Sequence, residues 1–165
     1  MADIDENKKV MVRKASDNEY LHKDFHLSMN ILMDYIYHRF GKEQLVRYLQ
    51  QYAEAYYKPL REELKKGNMD ALLAYMKDKY EKEKWEVTFF ADTGGIKMVQ
   101  TACPAITRIK KTGGEPCAHY KESYHTIYTT LCEGTPFEYT LEQFDEETGA
   151  CTQLFRRKEV AKWFH

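Results

Sequence analysis

The chain has 165 residues, with 25 Lys and Arg against 26 Asp and Glu and a formal net charge of −1. That length supports one domain with a single core, and the lack of a basic excess excludes nucleic-acid binding driven by bulk charge. A hydrophobic content of 43% argues against intrinsic disorder, and 13 Tyr and 4 Cys stand out in so small a chain.

Residues 1–15 are polar and read as a flexible N-terminal segment ahead of a single α+β domain over 16–165. The segment has no apolar stretch of the secretory type. The best apolar run, 27–40, is interrupted by Asn30, Asp34, His38 and Arg39 and is too short to span a bilayer. The expectation is a cytoplasmic protein with no membrane partner and with reduced thiols.

Ser16 and Glu19 have the spacing of a capping box. Behind them Leu21, Phe25, Met29, Leu32, Ile36 and Phe40 recur at helical period, and Gly41 stops the helix. A second helix carries Leu45, Leu49, Tyr52, Tyr56, Leu60 and Leu64 on its inner face, with a kink expected at Pro59, which cannot donate to Ala55. Asn68 caps a third helix with Leu72, Leu73, Met76 and Tyr80 inward, while the alternating signs of 77–84 read as a solvated face. At Trp85 the period changes to two. Trp85, Val87 and Phe89 alternate with Glu86, Thr88 and Phe90 up to the Asp92–Gly95 turn, and Ile96 to Val99 returns as a second strand. Ala105 to Lys111 reads as a short helix, and Pro116 as the opening of another that runs to Leu131 and stops at Gly134. Phe137, Tyr139 and Leu141 begin a second hairpin that returns through Cys151, Gln153 and Phe155, and the tail carrying Trp163 reads as a short helix. The expected architecture is α+β: N-terminal helices packed on a four-stranded antiparallel sheet built from two hairpins, with a helical insert between them.

Reactive side chains concentrate late in the chain. Cys103, Cys117, His119, His125, Cys132 and Cys151 all lie there. His125 and Cys132 are seven apart and Glu122 precedes His125 by one turn, so the three share a helical stripe suited to a metal or to a thiol activated by an imidazole. Neither C-x-x-C nor H-E-x-x-H is present, and a cysteine taken alone is more often a small buried hydrophobe than a ligand. Cys103 precedes Pro104 where a strand ends, the kind of place where sites are built. His22 and His26 share a face that Asn30 continues, and His26, beside Phe25 and Met29, is placed to line a pocket. Tyr48, Tyr52, Tyr56 and Tyr57 crowd one helix, and Tyr120, Tyr124 and Tyr128 repeat every four residues on another. Such stripes form core with wet edges or, around a cavity, an apolar wall with polar tips. Arg108, Lys110, Lys111, Arg156 and Arg157 are candidate cations for a substrate carboxylate.

Asp24-Phe25-His26 with Asn30, Pro59-Leu60, Cys103-Pro104-Ala105, Gly114-Glu115-Pro116, Tyr120 and His125 follow in order. So do Gly134, Phe137-Glu138-Tyr139, Leu141-Glu142-Gln143, Gly149-Ala150-Cys151 and Phe155. In these the chain resembles the L-2-amino-thiazoline-4-carboxylic acid hydrolase family. The resemblance implies a hydrolase that opens a small cyclic amidine or amide. In the family's reaction water adds to the carbon between sulfur and nitrogen, the carbon–sulfur bond breaks, and N-carbamoyl-L-cysteine results. That chemistry asks for a base, a proton donor and a cation. On this reading Cys103, His125, Cys132 and Glu122 carry catalysis, and His26, Asn30, Tyr120, Tyr124 and Arg108 bind the substrate. Cys117, His119 and Cys151 are the candidate ligands of a divalent metal such as zinc. The alternative is a non-catalytic small-molecule-binding or sensor domain similar to the vinyl-reductase-type (4VR) domains. Under either reading the partner is a small molecule, and a homodimer is compatible with both.

Overall fold

A computed structural model describes residues 23–159; the capping box at Ser16, the segment 1–15, His22 and the tail at Trp163 lie outside the described residues. Within that range six helices and four strands follow in the order α1 (Lys23–Phe40), α2 (Lys42–Tyr56), α3 (Lys58–Lys65), α4 (Met69–Lys82), β1 (Val87–Asp92), β2 (Gly95–Gln100), α5 (Pro104–Lys111), α6 (Tyr120–Cys132), β3 (Phe137–Phe144) and β4 (Cys151–Arg157). The strands form one antiparallel sheet in the order β1-β2-β4-β3, so the two hairpins lie side by side with β4 beside β2. The α+β architecture expected from the sequence is the one observed.

Local chemistry explains most of the boundaries. Asn68 caps α4 through its Oδ1, which accepts from the Ala71 amide at 3.2 Å. Asp92 Oδ1 accepts from the amides of Gly94 and Gly95 and closes the first hairpin. Asp145 Oδ1 does the same for Glu147 and Thr148 in the second. Pro59 acts more strongly than a kink: the expected long helix divides into α2 and α3 at Tyr57, and Pro59 stands in the first turn of α3, where a missing donor costs nothing. Pro116, by contrast, opens no helix. Residues 114–117 are irregular, and α6 starts at Tyr120.

Alternation gives the sheet two unlike faces. Ile96, Met98, Phe137, Phe155 and Tyr139 face the helices. The principal core joins them to Leu131 and Tyr128 of α6, Leu45, Leu49 and Ala53 of α2, Leu64 of α3, and Leu72 and Met76 of α4. Helix α6 packs on α2 to one side and on β3 to the other. The opposite face presents Thr88, Phe90, Lys97, Glu138, Thr140 and Arg156 to solvent. A smaller cluster of Cys103, Ala105, Ile106, Ile109 and Tyr120 seats α5. No helix among the described residues is long and apolar enough to cross a membrane.

The two faces predict opposite responses to truncating a phenylalanine. Phe155 is fully buried, with its ring at 5.5 Å from Tyr128 and 4.9 Å from Tyr139. Phe155→Ala is expected to lower the unfolding free energy by about 3–5 kcal/mol. Phe90 is 58% exposed on the other face, and Phe90→Ser is expected to change it by less than about 0.5 kcal/mol. Urea unfolding of the two variants checks the assignment of the faces.

Candidate functional site

Between the helical layer and the start of α5 lies a cavity of about 250 Å³. Phe25, His26 and Met29 of α1 line it, with Tyr52 and Tyr56 of α2, Tyr57 after it, Tyr75, Lys79 and Tyr80 of α4, and Glu83 just beyond. Cys103, Pro104 and Ala105 close one side, and Tyr120, Ser123, Tyr124, Ile127 and Tyr128 of α6 another. Eight of these residues are tyrosines. Helical spacing puts them there: Tyr120, Tyr124 and Tyr128 fall on one face of α6, and Tyr75, Lys79 and Glu83 recur every four residues along α4 and its end. Tyr52 meets Tyr57 at 88° and Tyr57 meets Tyr75 at 80°, the edge-to-face arrangement that aromatic quadrupoles favour, while Tyr52 and Tyr56 stack at 15°.

A chain of hydrogen bonds runs from the sheet into this cavity. The Tyr80 hydroxyl donates to Gln100 Oε1 at 2.9 Å. Gln100 Nε2 donates to the Gly149 carbonyl at 3.0 Å and to the Tyr124 hydroxyl at 3.3 Å. The Tyr124 hydroxyl in turn donates to Cys103 Sγ at 3.0 Å. Cys103 precedes α5, its own amide donates to the Thr148 carbonyl, and the amides of Ala105 and Ile106 face its sulfur. Burial nevertheless pushes the Cys103 thiol up from its ordinary value, against the opposing effects of Tyr124, those amides and Lys79. The sulfur is a neutral thiol at neutral pH. Gly149 is held against it in the left-handed region at φ 70°, where a Cβ would collide with that of Cys103.

Of the residues expected to form a site, Cys103, His26, Tyr120 and Tyr124 meet around this cavity. The others do not line it. His125 is exposed on α6, and Glu122 forms an ion pair with Lys42 at 2.6 Å. Cys132 is buried in the principal core, although it shares a helical stripe with His125. The stripe crosses two environments, because α6 is solvated on that side at its start and enclosed at its end. Arg108 stands on α5, away from the cavity lining. Asn30 serves the backbone instead of a ligand. Its Nδ2 donates to the Glu115 carbonyl at 3.0 Å and its Oδ1 accepts from the Cys117 amide at 2.7 Å, so both ends of the amide tie the α5–α6 connection to α1. That tie accounts for the irregular backbone after Pro116.

The expected metal set is not assembled. His119 stacks on Tyr37 with ring centroids 3.5 Å apart, and its amide donates to Cys117 Sγ at 3.4 Å. Cys151 lies in β4, where its sulfur accepts from Gln153 Nε2. Among the described residues no three His, Cys, Asp or Glu side chains are grouped to hold a metal ion. The contributions of Lys79, Glu83 and Gln100 are not apparent in the sequence. The solvated face expected of 77–84 holds for Lys77, Asp78, Glu81 and Lys82, which are exposed, but Lys79 is half-buried and Glu83 only 3% exposed. Their spacing from Tyr75 is the available signal.

These contacts set two expectations. Asn30→Ala strips the Glu115 carbonyl and the Cys117 amide of their partner and is expected to cost about 1–3 kcal/mol in urea unfolding, with Asn30→Asp recovering part because it keeps the acceptor. The second concerns alkaline stability. Burial pushes Tyr75 up to about 12 from 10.0, and Cys132 and Cys151 up to about 12 from 9.0. It holds Tyr52, Tyr57, Tyr80, Tyr124, Tyr128 and Tyr139 high as well. The folded state therefore keeps protons that the unfolded chain releases. This contribution is fully present below pH 9.0 and is lost as pH rises through the raised values. Tyrosinate absorbance from these residues is expected to appear in the same step as the loss of helical circular dichroism, not ahead of it.

The chain matches no protein-family model, no curated protein and no solved structure.

Proposed function

We propose that this chain binds a small molecule with a planar, apolar body in the tyrosine-lined cavity. The observation that carries the reading is the lining itself: Phe25 and eight tyrosines line about 250 Å³, with the Cys103 thiol and a half-buried lysine among them. Ligand sites are concave and mostly apolar, with few polar groups to fix orientation. An engineered apolar cavity of about 150 Å³ accepts benzene, so this one has room for at least a single ring with a short side chain. The four cysteines are free and buried, which supports a reducing compartment, the cytoplasm, as its setting.

One observation favours hydrolysis of a cyclic amidine as a second reading. Cys103 faces the same cavity, with Tyr124 donating to its sulfur and the α5 amides beside it. The acid–base residues expected for ring opening, His125 and Glu122, are outside the lining, so the base would have to come from His26 or Glu83. The thiol is paired with a phenol rather than with an imidazole or a carboxylate, and binding is therefore the better-supported function.

The two readings separate in one experiment on the full chain. One-ring aromatic compounds are titrated by calorimetry, and 2-amino-thiazoline-4-carboxylate is incubated with the protein while released thiol is measured. The binding reading expects saturable heat and slower alkylation of Cys103 by iodoacetamide when the cavity is filled. It is overturned if no one-ring compound binds below about 1 mM, a free energy of about −4 kcal/mol. Catalytic thiol release that is lost in Cys103→Ala would establish the hydrolase instead.

A further inference from the structure

Lys79 is the only lysine or arginine among the described residues that line the cavity, and it is half-buried. Among the described residues no carboxylate lies within ion-pair distance of it. Its ammonium lies instead over the Tyr80 ring, with Nζ 5.4 Å from the centroid. Glu83 stands one turn further on and lines the same cavity, yet the two do not pair, and Glu83 is engaged elsewhere in the chain. A lysine at an aromatic lining with no protein counter-charge beside it is placed to attract an anion. Lys79 also lies near enough to Cys103 to favour ionisation of its sulfur.

The second observation is the direction of the hydrogen-bond chain. Tyr80 donates to Gln100, Gln100 to Tyr124, and Tyr124 to Cys103. One Gln100 amide proton continues the series to Tyr124 and the other goes to the Gly149 carbonyl. Cys103 Sγ accepts the last of these bonds and lies at the cavity wall. A thiol and a lysine without a neighbouring carboxylate, in one aromatic chamber, suit a ligand that carries negative charge at one end.

We infer that the cavity takes a small aromatic monocarboxylate, its ring among the tyrosines and its carboxylate held by the Lys79 ammonium and the Cys103 thiol. This rests on the small-molecule-binding reading above and adds the sign and position of the ligand's charge. One cation matches a monoanion better than a phosphate dianion.

The test is calorimetric titration of the full chain with three compounds of one shape: 3-phenylpropionate, the neutral 3-phenylpropanol and the cationic 3-phenylpropylamine. The acid is expected to bind about tenfold or more tightly than either analogue, the scale of one charge-assisted contact. Lys79→Met removes that advantage while leaving the alcohol within about twofold, and Lys79→Arg keeps most of it. Cys103→Ala weakens the acid by about threefold, a weak donor's share. Thermal melts confirm that each variant is folded. Equal or tighter binding of the alcohol or amine, or acid binding that ignores Lys79→Met, overturns the inference and leaves the small-molecule reading standing. Failure of all three compounds to bind overturns the inference, and the small-molecule reading falls with it if no other one-ring compound binds below about 1 mM.

Discussion

Gln100 is the point on which the interior depends. Its amide is 2% exposed and would be costly in an apolar core if either end were left without a partner. Three separate elements answer it: α4 sends the Tyr80 hydroxyl, α6 presents the Tyr124 oxygen, and the β3–β4 turn offers the Gly149 carbonyl. The end of β2 is thus tied to two helices and a distant hairpin turn by one side chain. The same turn carries Thr148, whose carbonyl accepts the Cys103 amide. Satisfying one buried amide therefore also sets where Cys103 sits and which way Tyr124 points.

Tyrosine suits this arrangement better than phenylalanine would. Its ring supplies the apolar area that holds helices and sheet together, and its hydroxyl lets an otherwise dry interior carry a directed hydrogen-bond chain. Tyr128 packs edge-on to Phe155 while Tyr139, on the neighbouring strand, hydrogen-bonds Gln153 at 2.9 Å. The rings that line the cavity are continuous with the rings that form the core. A shift in one tyrosine is felt by both, so the cavity is held by the same packing that stabilises the fold.

The cysteines divide along the same logic. Cys132 and Cys151 are surrounded by core and kept protonated by burial. Cys117 closes against the α5–α6 connection that Asn30 holds. Cys103 alone among the four lines the cavity. Being a cysteine does not distinguish them, because all four are buried; the difference is that one has open volume in front of it.

Periodicity in the sequence located the helical segments, though not the break at Tyr57 or the start of α6, and it determined the two hairpins and the antiparallel α+β arrangement, because an amphipathic face must be buried against something. It also determined the tyrosine stripe of α6 and the position of Cys103 ahead of Pro104, both of which belong to the candidate site. The side chains opposite each face were settled only by the tertiary structure. His125 and Cys132 share a stripe yet end in solvent and in core. Asn30 looks like a ligand-binding polar residue beside His26 but commits both ends of its amide to a loop eighty-five residues away. Lys79 and Glu83 sit in a run of alternating charge and yet turn into the cavity. In each case the local pattern states which way a side chain leaves its helix, and the long-range packing states whether it meets water, protein or an open cavity.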